Sequence, residues 1–539
     1  MSRRLSLAAV LAAGALLLTG CIPSFDGGTD GGGTDNGLPN DDQTIRILAG
    51  SEVKDMVPLL EEAAAEIGVK VAFEYVGTLE GTELVAAGGA DGKYDATWFP
   101  NNRYLSLLPG ASSAIASSVK IMTSPVVLGL RKDVAERLGW DDTAPTWADL
   151  ATAASAGEFT YGMTNPAASN SGFSALVAVA TALSGTGSAL TDADIQSVTP
   201  GLTSFFSGQK LTSGSSGFLA DTFIADPGVA DGIINYESVL MGLRPDGEPL
   251  TIITPTDGVV TSDYPLTLLS SADASKRPLF EQLTDWLTTP AIQERIVAET
   301  SRRPGVPGID TGTTFPDSIL FETPFPNTLD VANTLISTYL ESARSPAQTL
   351  FVLDTSGSME GGRIEALKQA LKNLAGADES TAGGFAAFRS RERVTLIPFA
   401  EKPGRPVIIE VPDNDKTSAL EQIRDEADNL VADGGTAIYD SLEEAYELAI
   451  EQKDDRPDTF VSIVLMTDGE NTDGATFSDF QEFYNRISDD AGGIRTYVVL
   501  FGNGNVDELS SVAELTGGKV FDALGGDLAG AFQEIRGYQ

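Results

Sequence analysis

Histidine is absent from all 539 residues, and cysteine occurs once, at Cys21. The first absence removes the commonest general base and the commonest zinc and copper ligand, so imidazole chemistry is excluded. The second leaves no partner for an intramolecular disulfide in any redox compartment, and stability rests on packing and on any bound metal. Cations are scarce: 35 Lys and Arg stand against 77 Asp and Glu, a formal charge of −42. Such a chain repels phosphate backbones and anionic headgroups, which sets aside nucleic acid and bare lipid surfaces as partners. The acidity fits both a soluble, self-repelling protein and adaptation to saline surroundings. The apolar stretch Leu5 to Leu18 falls short of the ~20 residues a spanning helix needs.

What is present begins at the N-terminus. Arg3-Arg4 precede that apolar stretch, and Leu18-Thr19-Gly20-Cys21 supplies small residues before the cysteine, as a secretory signal does. The segment resembles a bacterial lipoprotein signal with its lipobox over residues 1–21. The resemblance implies cleavage before Cys21, lipidation of its sulfur, and an exported protein anchored to the cell membrane and facing outside. Residues 22–43 are rich in Gly and Asp and carry no Lys or Arg, a flexible linker with an r.m.s. reach of roughly 25 Å.

From residue 44 strands and helices alternate. Thr44–Ala49 and Val69–Tyr75 read as strands around a helix Met56–Ile67 with Val57, Leu60, Ala64 and Ile67 near helical spacing, which implies a parallel α/β sheet. Further strands are expected at Thr123–Leu130, Ile233–Leu240 and Asp263–Leu269, with helices entering at Pro145–Leu150 and running Phe173–Leu183. Residues 44–345, closed by an amphipathic connecting helix Asp330–Ala343, are similar to extracellular solute-binding proteins with the two-lobed type 2 periplasmic-binding fold. That likeness implies a small-molecule solute. The turn Asn165 to Gly172, rich in Ser and Asn and feeding a helix, has two readings of equal weight. Asn165, Ser169 and Ser171 contact an anionic group at the helix start, or Ser169 and Ser171 simply cap it. Ser51, Trp98, Ser124 and Glu237 stand at comparable strand ends as further ligand candidates, against the plainer reading that such residues are solvated.

The last third carries the sharpest pattern. Asp354-Thr355-Ser356-Gly357-Ser358 ends the apolar run Thr349–Leu353; Asp433-Gly434-Gly435-Thr436 opens a helical pattern; Thr467-Asp468-Gly469-Glu470 ends the run Phe460–Met466. In an open parallel sheet, turns at the carboxyl ends of strands converge on one crevice. Asp354, Ser356, Ser358, Thr436 and Asp468 then offer five oxygens to a small hard cation, Mg²⁺ or Mn²⁺, which prefers such ligands and keeps waters. The competing reading makes Ser356 and Ser358 helix caps and Asp468 a turn residue. The order Asp-x-Ser-x-Ser, then Thr, then Asp resembles the metal-ion-dependent adhesion site of von Willebrand factor type A domains, over residues 346–539. The resemblance implies a doubly wound, Rossmann-like α/β domain whose metal receives an Asp or Glu of a protein partner.

Three other patterns carry nothing. Ser117-Ser118-Val119-Lys120 matches S-x-x-K but leads into a strand, with neither S-D-N nor K-T-G following. Gly502-Asn503-Gly504 lacks the third glycine of a dinucleotide loop, and Gly92-Lys93 runs into Tyr94 rather than Ser or Thr. The expectation is a membrane-anchored binding and assembly protein rather than an enzyme. Its alternative is the solute-binding component of an ABC-type importer whose C-terminal domain docks it to membrane partners.

Overall fold

Three sheets, each fed by the apolar runs read above, organise the chain in a computed structural model. It describes residues 37–315, 320–378, 380–413, 415–500, 502, 506–523 and 528–538; Cys21, the signal and most of the linker lie outside the described residues. Leu38–Gln539 forms one compact unit. Among the described residues, no helix is long and apolar enough to cross a membrane.

The first lobe is a sheet ordered Lys70–Tyr75, Thr44–Ala49, Ala96–Trp98, Pro265–Leu269, Ile115–Lys120. The second runs Thr261–Ser262, Met122–Leu130, Gly232–Tyr236, Tyr161–Thr164, Gln209–Ser213. The backbone passes from one sheet to the other at Ile121 and again between Ser262 and Pro265, so two crossings join the lobes. The strand expected over Ile233–Leu240 stops at Tyr236, and Glu237–Gly242 is helical. The turn is fixed there because the Ser124 hydroxyl accepts the Ser238 N–H at 3.1 Å and Arg303 takes the Glu237 carboxylate at 2.7 and 2.9 Å.

The connecting helix Leu329–Thr338, extended by a wider turn Tyr339–Ala343, buries Ala332, Leu335, Ile336, Tyr339 and Leu340 in the core of the second lobe. Its polar end leaves that lobe and meets the C-terminal domain, where Arg389 reaches Glu341 at 2.9 Å.

The C-terminal sheet is ordered Val407–Glu410, Arg393–Phe399, Ala347–Asp354, Phe460–Thr467, Arg495–Leu500, Val520–Asp522. Only Val407–Glu410, at one edge, pairs antiparallel. Ala347–Asp354 and Phe460–Thr467 are buried almost throughout, as parallel strands covered on both faces must be. One face packs under Leu367, Leu371 and Ile423, the other under Leu442, Ala445 and Phe480. The sheet's first strand, Ala347–Asp354, has neighbours on both sides, so the strand order reverses beside it. That switch point opens a crevice at the carboxyl ends.

Candidate metal centre and inter-lobe cleft

Asp354 ends its strand fully buried, with Ser356, Thr436 and Asp468 5% exposed or less, whereas Ser358 lies on the open side. The Asp354 carboxylate accepts the Ser356 N–H at 2.8 Å and the Thr467 hydroxyl at 2.7 Å. Ser356 and Ser358 hydroxyls lie 2.9 Å apart, and Ser358 donates to Asp468 at 2.8 Å. The capping alternative is not what these serines do. The turn Gly357–Met359 and the helix Gly362–Lys372 begin without any side-chain cap.

The loop of Thr436 is knitted to the first by two backbone bonds, Gly357 N–H to Gly434 C=O and Asp433 N–H to Thr355 C=O, both 2.9 Å. Gly434 sits at φ +85°, a left-handed conformation that strains any side chain, and the Glu401 carboxylate occupies the space a Cβ would enter, within 2.6 Å. The third loop closes on the second: Thr472 Oγ1 and Asp473 Oδ2 accept the Thr436 N–H at 2.9 and 3.2 Å. All five predicted oxygen-bearing residues therefore stand on three interlocked loops at one end of the sheet.

Burial pushes the Asp354 carboxyl above its usual range, with Asp468 adding repulsion against the hydroxyl and N–H donors. The two carboxylates and three hydroxyls on these loops are the donor types that a hard divalent cation takes. Among the described residues, no three His, Cys, Asp or Glu side chains gather as a metal cluster, so this site draws mostly on hydroxyls. One cation was not anticipated: Arg363 donates to Asp468 and, at 3.2 Å, to the Ser358 carbonyl. It had one sequence signal, a basic residue in the first turn of a helix, where the dipole disfavours it unless a carboxylate is near.

Between the lobes lies a cavity of about 480 Å³ lined by Ser51, Asn165 and Ser169 of the expected ligand set, with Glu52, Tyr75 and others. Ser171 is buried, joined through hydroxyls to Thr164 and Ser216 at 2.8 Å each and Ser169 at 3.2 Å. Ser216 in turn donates to Glu52 of the first lobe at 3.3 Å, so a carboxylate of the chain itself stands against this hydroxyl group. Ser169 makes no side-chain cap. Trp98, Ser124 and Glu237 do not line the cavity. Trp98 is fully buried with its indole N–H on the Tyr264 carbonyl at 3.1 Å, and Ser124 and Glu237 hold the turn at Tyr236 described above.

Sequence comparison agrees with these architectures. Residues 45–299 match the profile of the family described as bacterial extracellular solute-binding protein, and residues 350–528 that of the von Willebrand factor type A domain. The chain thus joins a solute-binding-like domain to a von Willebrand type A domain. A 137-residue stretch is 31% identical to inter-alpha-trypsin inhibitor heavy chain H4 of Sus scrofa, covering 24% of this chain and 13% of that protein. The chain therefore spans only 13% of the curated relative it matches. Among solved structures, the periplasmic binding protein AfuA from Actinobacillus pleuropneumoniae is 12% identical, with 56% of this chain and 98% of that one covered, at TM-score 0.44. The sulfate-binding protein SubI from Mycobacterium tuberculosis H37Rv is 19% identical over 54% of this chain and 96% of that one, TM-score 0.41. A von Willebrand factor type A protein from Catenulispora acidiphila is 19% identical, covering 36% and 43%, TM-score 0.28.

Proposed function

We propose that this protein is an exported, lipid-anchored binding and assembly factor, not an enzyme, which grips a protein partner through a metal held by Asp354, Ser356, Ser358, Thr436 and Asp468. The observation that carries the reading is the convergence of those five residues on interlocked loops, with the buried carboxylates inside and Ser358 at the open edge. A bound Mg²⁺ or Mn²⁺ supplies a Lewis-acid position, and a ligand set weak in carboxylates leaves it able to attract an Asp or Glu of the partner. Cys21 would carry the anchor, and residues 22–43 would lift the folded part from the membrane. The test is capture of partners from detergent-solubilised membranes by the full chain in Mg²⁺ and in EDTA, with Ser356→Ala alongside. A partner retained only by wild type with metal supports the reading; capture indifferent to metal and to Ser356 sinks it.

The inter-lobe cavity favours a second role, uptake or sensing of a small polar solute by the N-terminal domain. A ligand-induced rise in melting temperature, screened with small sugars, amino acids and oxyanions, would register it.

Arg363 has a separate expected effect. Its side chain is 42% exposed and lies on Asp468, so a metal must compete with an ion pair worth up to ~1 kcal/mol. Arg363→Gln is expected to tighten Mg²⁺ binding roughly fivefold by calorimetric titration, which corresponds to that energy; weaker binding would mean that Arg363 positions Asp468 rather than competing for it.

A further inference from the structure

The metal loops occupy one end of the C-terminal sheet, and a second pocket opens at the other. Strands Phe460–Thr467 and Arg495–Leu500 begin there, beside Gln209–Ser213, the edge strand of the second lobe's sheet. Between them lies a pocket of about 210 Å³. Lys210 enters its wall from the lobe, Lys453 from the last turn of the helix Ile438–Asp455, and Arg495 from the start of its strand. Asp458 is the one carboxylate among the described lining residues, and Ser345 and Thr459 add hydroxyls. The chain as a whole carries 77 acidic residues to 35 basic, so a wall with three cations to one carboxylate inverts its balance. The chain does not satisfy these cations either. Among the described residues none of the three forms an ion pair, and the side chains of Lys210 and Arg495 make no hydrogen bond. Lys453 donates to the Gly492 carbonyl. Carboxylates are within reach of this region, since Arg393 pairs with Glu410 and Asp455, and Arg456 with Glu410. In the inter-lobe cavity, by contrast, Lys519 and Arg536, which with Phe521 belong to the C-terminal domain's part of the wall, are held by Glu534 and Glu392.

We propose that this pocket is an anion site at the junction of the second lobe and the C-terminal domain, and that it takes a small tetrahedral dianion, inorganic phosphate or sulfate. The helix end accounts for Lys453, because the dipole favours a cation there. It does not account for Lys210 and Arg495, which line the same space from two other elements. A guanidinium and two ammonium groups offer charged donors to the oxygens of such an ion, and hydrogen bonds of that kind are the strong ones. The net charge of the chain opposes any anion, so what binds must be held from several sides at once, which a dianion among three cations is. Like charges contributed by two domains also repel one another, and a dianion between them turns that repulsion into attraction. Its binding then stabilises the junction by mass action. The pocket shares no lining residue with the inter-lobe cavity and lies at the opposite end of the sheet from the metal loops, so the site stands whether or not the metal and solute readings do.

The test is calorimetric titration of the full chain, stripped of metal on a chelating resin, with sodium phosphate and with sodium sulfate at neutral pH, two temperatures and an ionic strength fixed with sodium chloride. Wild type is expected to show one saturable site for either ion. Lys210→Gln is expected to weaken it about tenfold, the worth of one charged hydrogen bond, and Lys210→Gln with Arg495→Gln to leave no saturable heat. Arg277→Gln makes the same charge change at an exposed position of the first lobe and is expected to bind as wild type does. Wild type without saturable heat at either temperature overturns the proposal. So does a double variant that keeps the parental affinity, which would place the ion elsewhere, or an equal loss in Arg277→Gln, which would reduce the effect to net charge. Should the double variant fail to melt cooperatively, Lys210→Gln, itself at an exposed position, decides alone, and an unchanged affinity there overturns the site.

Discussion

Glu392→Ala is expected to destabilise the chain by about 3–5 kcal/mol, the cost of leaving buried cations without their counter-charge. Glu392 is 1% exposed and lies where three segments meet. It receives Arg344 from beyond the connecting helix, Arg536 from the last helix at 2.8 and 2.9 Å, and the Arg389 N–H at 3.1 Å. Burial pushes its carboxyl up, but Arg536 and Arg344 more than offset this and leave it below its ordinary value of 4.5. The same burial lowers Arg536 even with the Glu392 carboxylate beside it. Alanine strands both arginines in the interior, whereas Glu392→Gln keeps the volume and one acceptor and is expected to lose less. Urea unfolding of the two variants against wild type measures the difference. The pH dependence follows from the direction of the shift. A carboxylate lowered on folding contributes stability above 4.5, its unfolded value, and loses it as the pH falls from there through the folded value. Wild type should lose stability across that window, and the alanine variant should lose less of it. A variant within ~1 kcal/mol of wild type would show that the two arginines find other acceptors, the carbonyls of Ala386 and Ala387 being nearest to Arg536.

The C-terminal domain was legible in the sequence because its signals are local. Asp354 and Asp468 each close an apolar strand, and the helix Val506–Thr516 carries its own local signal, since its Leu509, Val512, Ala513 and Thr516 repeat at helical spacing. The inter-lobe cleft was read only in part. Glu237 reads from the sequence as a ligand candidate or a solvated strand end, and nothing near it announces that Arg303, 66 residues on, takes its carboxylate. Trp98 stands at the end of a strand too short to show which face it serves. Lys519, Phe521 and Arg536 line the cavity only because one domain docks on another, a fact of tertiary assembly with no periodicity to reveal it. The same holds for Glu52, whose meeting with Ser216 spans 164 residues. Positions set by a strand's own hydrophobic run can be read from sequence; positions set by packing between distant segments cannot.

Asp354→Asn is expected to separate the two things that carboxylate does. In the chain without metal, Asp354 is a liability: it is fully buried, burial raises its carboxyl above 3.8, and Asp468 stands near enough to repel it. A group raised on folding costs stability as the pH climbs from 3.8 through its folded value, and the cost is complete above that. Asparagine keeps the shape and an oxygen for the Ser356 N–H while removing the charge, so in EDTA at neutral pH the variant should melt no lower than wild type. With metal the order reverses. A cation bound at one site stabilises the folded chain by about 2.7 kcal/mol at one hundred times its dissociation constant, and for a domain of this size that moves the midpoint upward by several degrees. The variant, with one of two anionic ligands gone, should show little or none of that shift. Thermal melts of both proteins in EDTA, Mg²⁺ and Mn²⁺ are enough to tell the cases apart. An equal metal-dependent rise in the variant would place the metal elsewhere, and no rise in wild type would mean that the five oxygens hold no cation. A variant that melts well below wild type in EDTA would mean that the Asp354 bonds to Ser356 and Thr467 outweigh its burial. The loops would then be built around a carboxylate that serves the fold first.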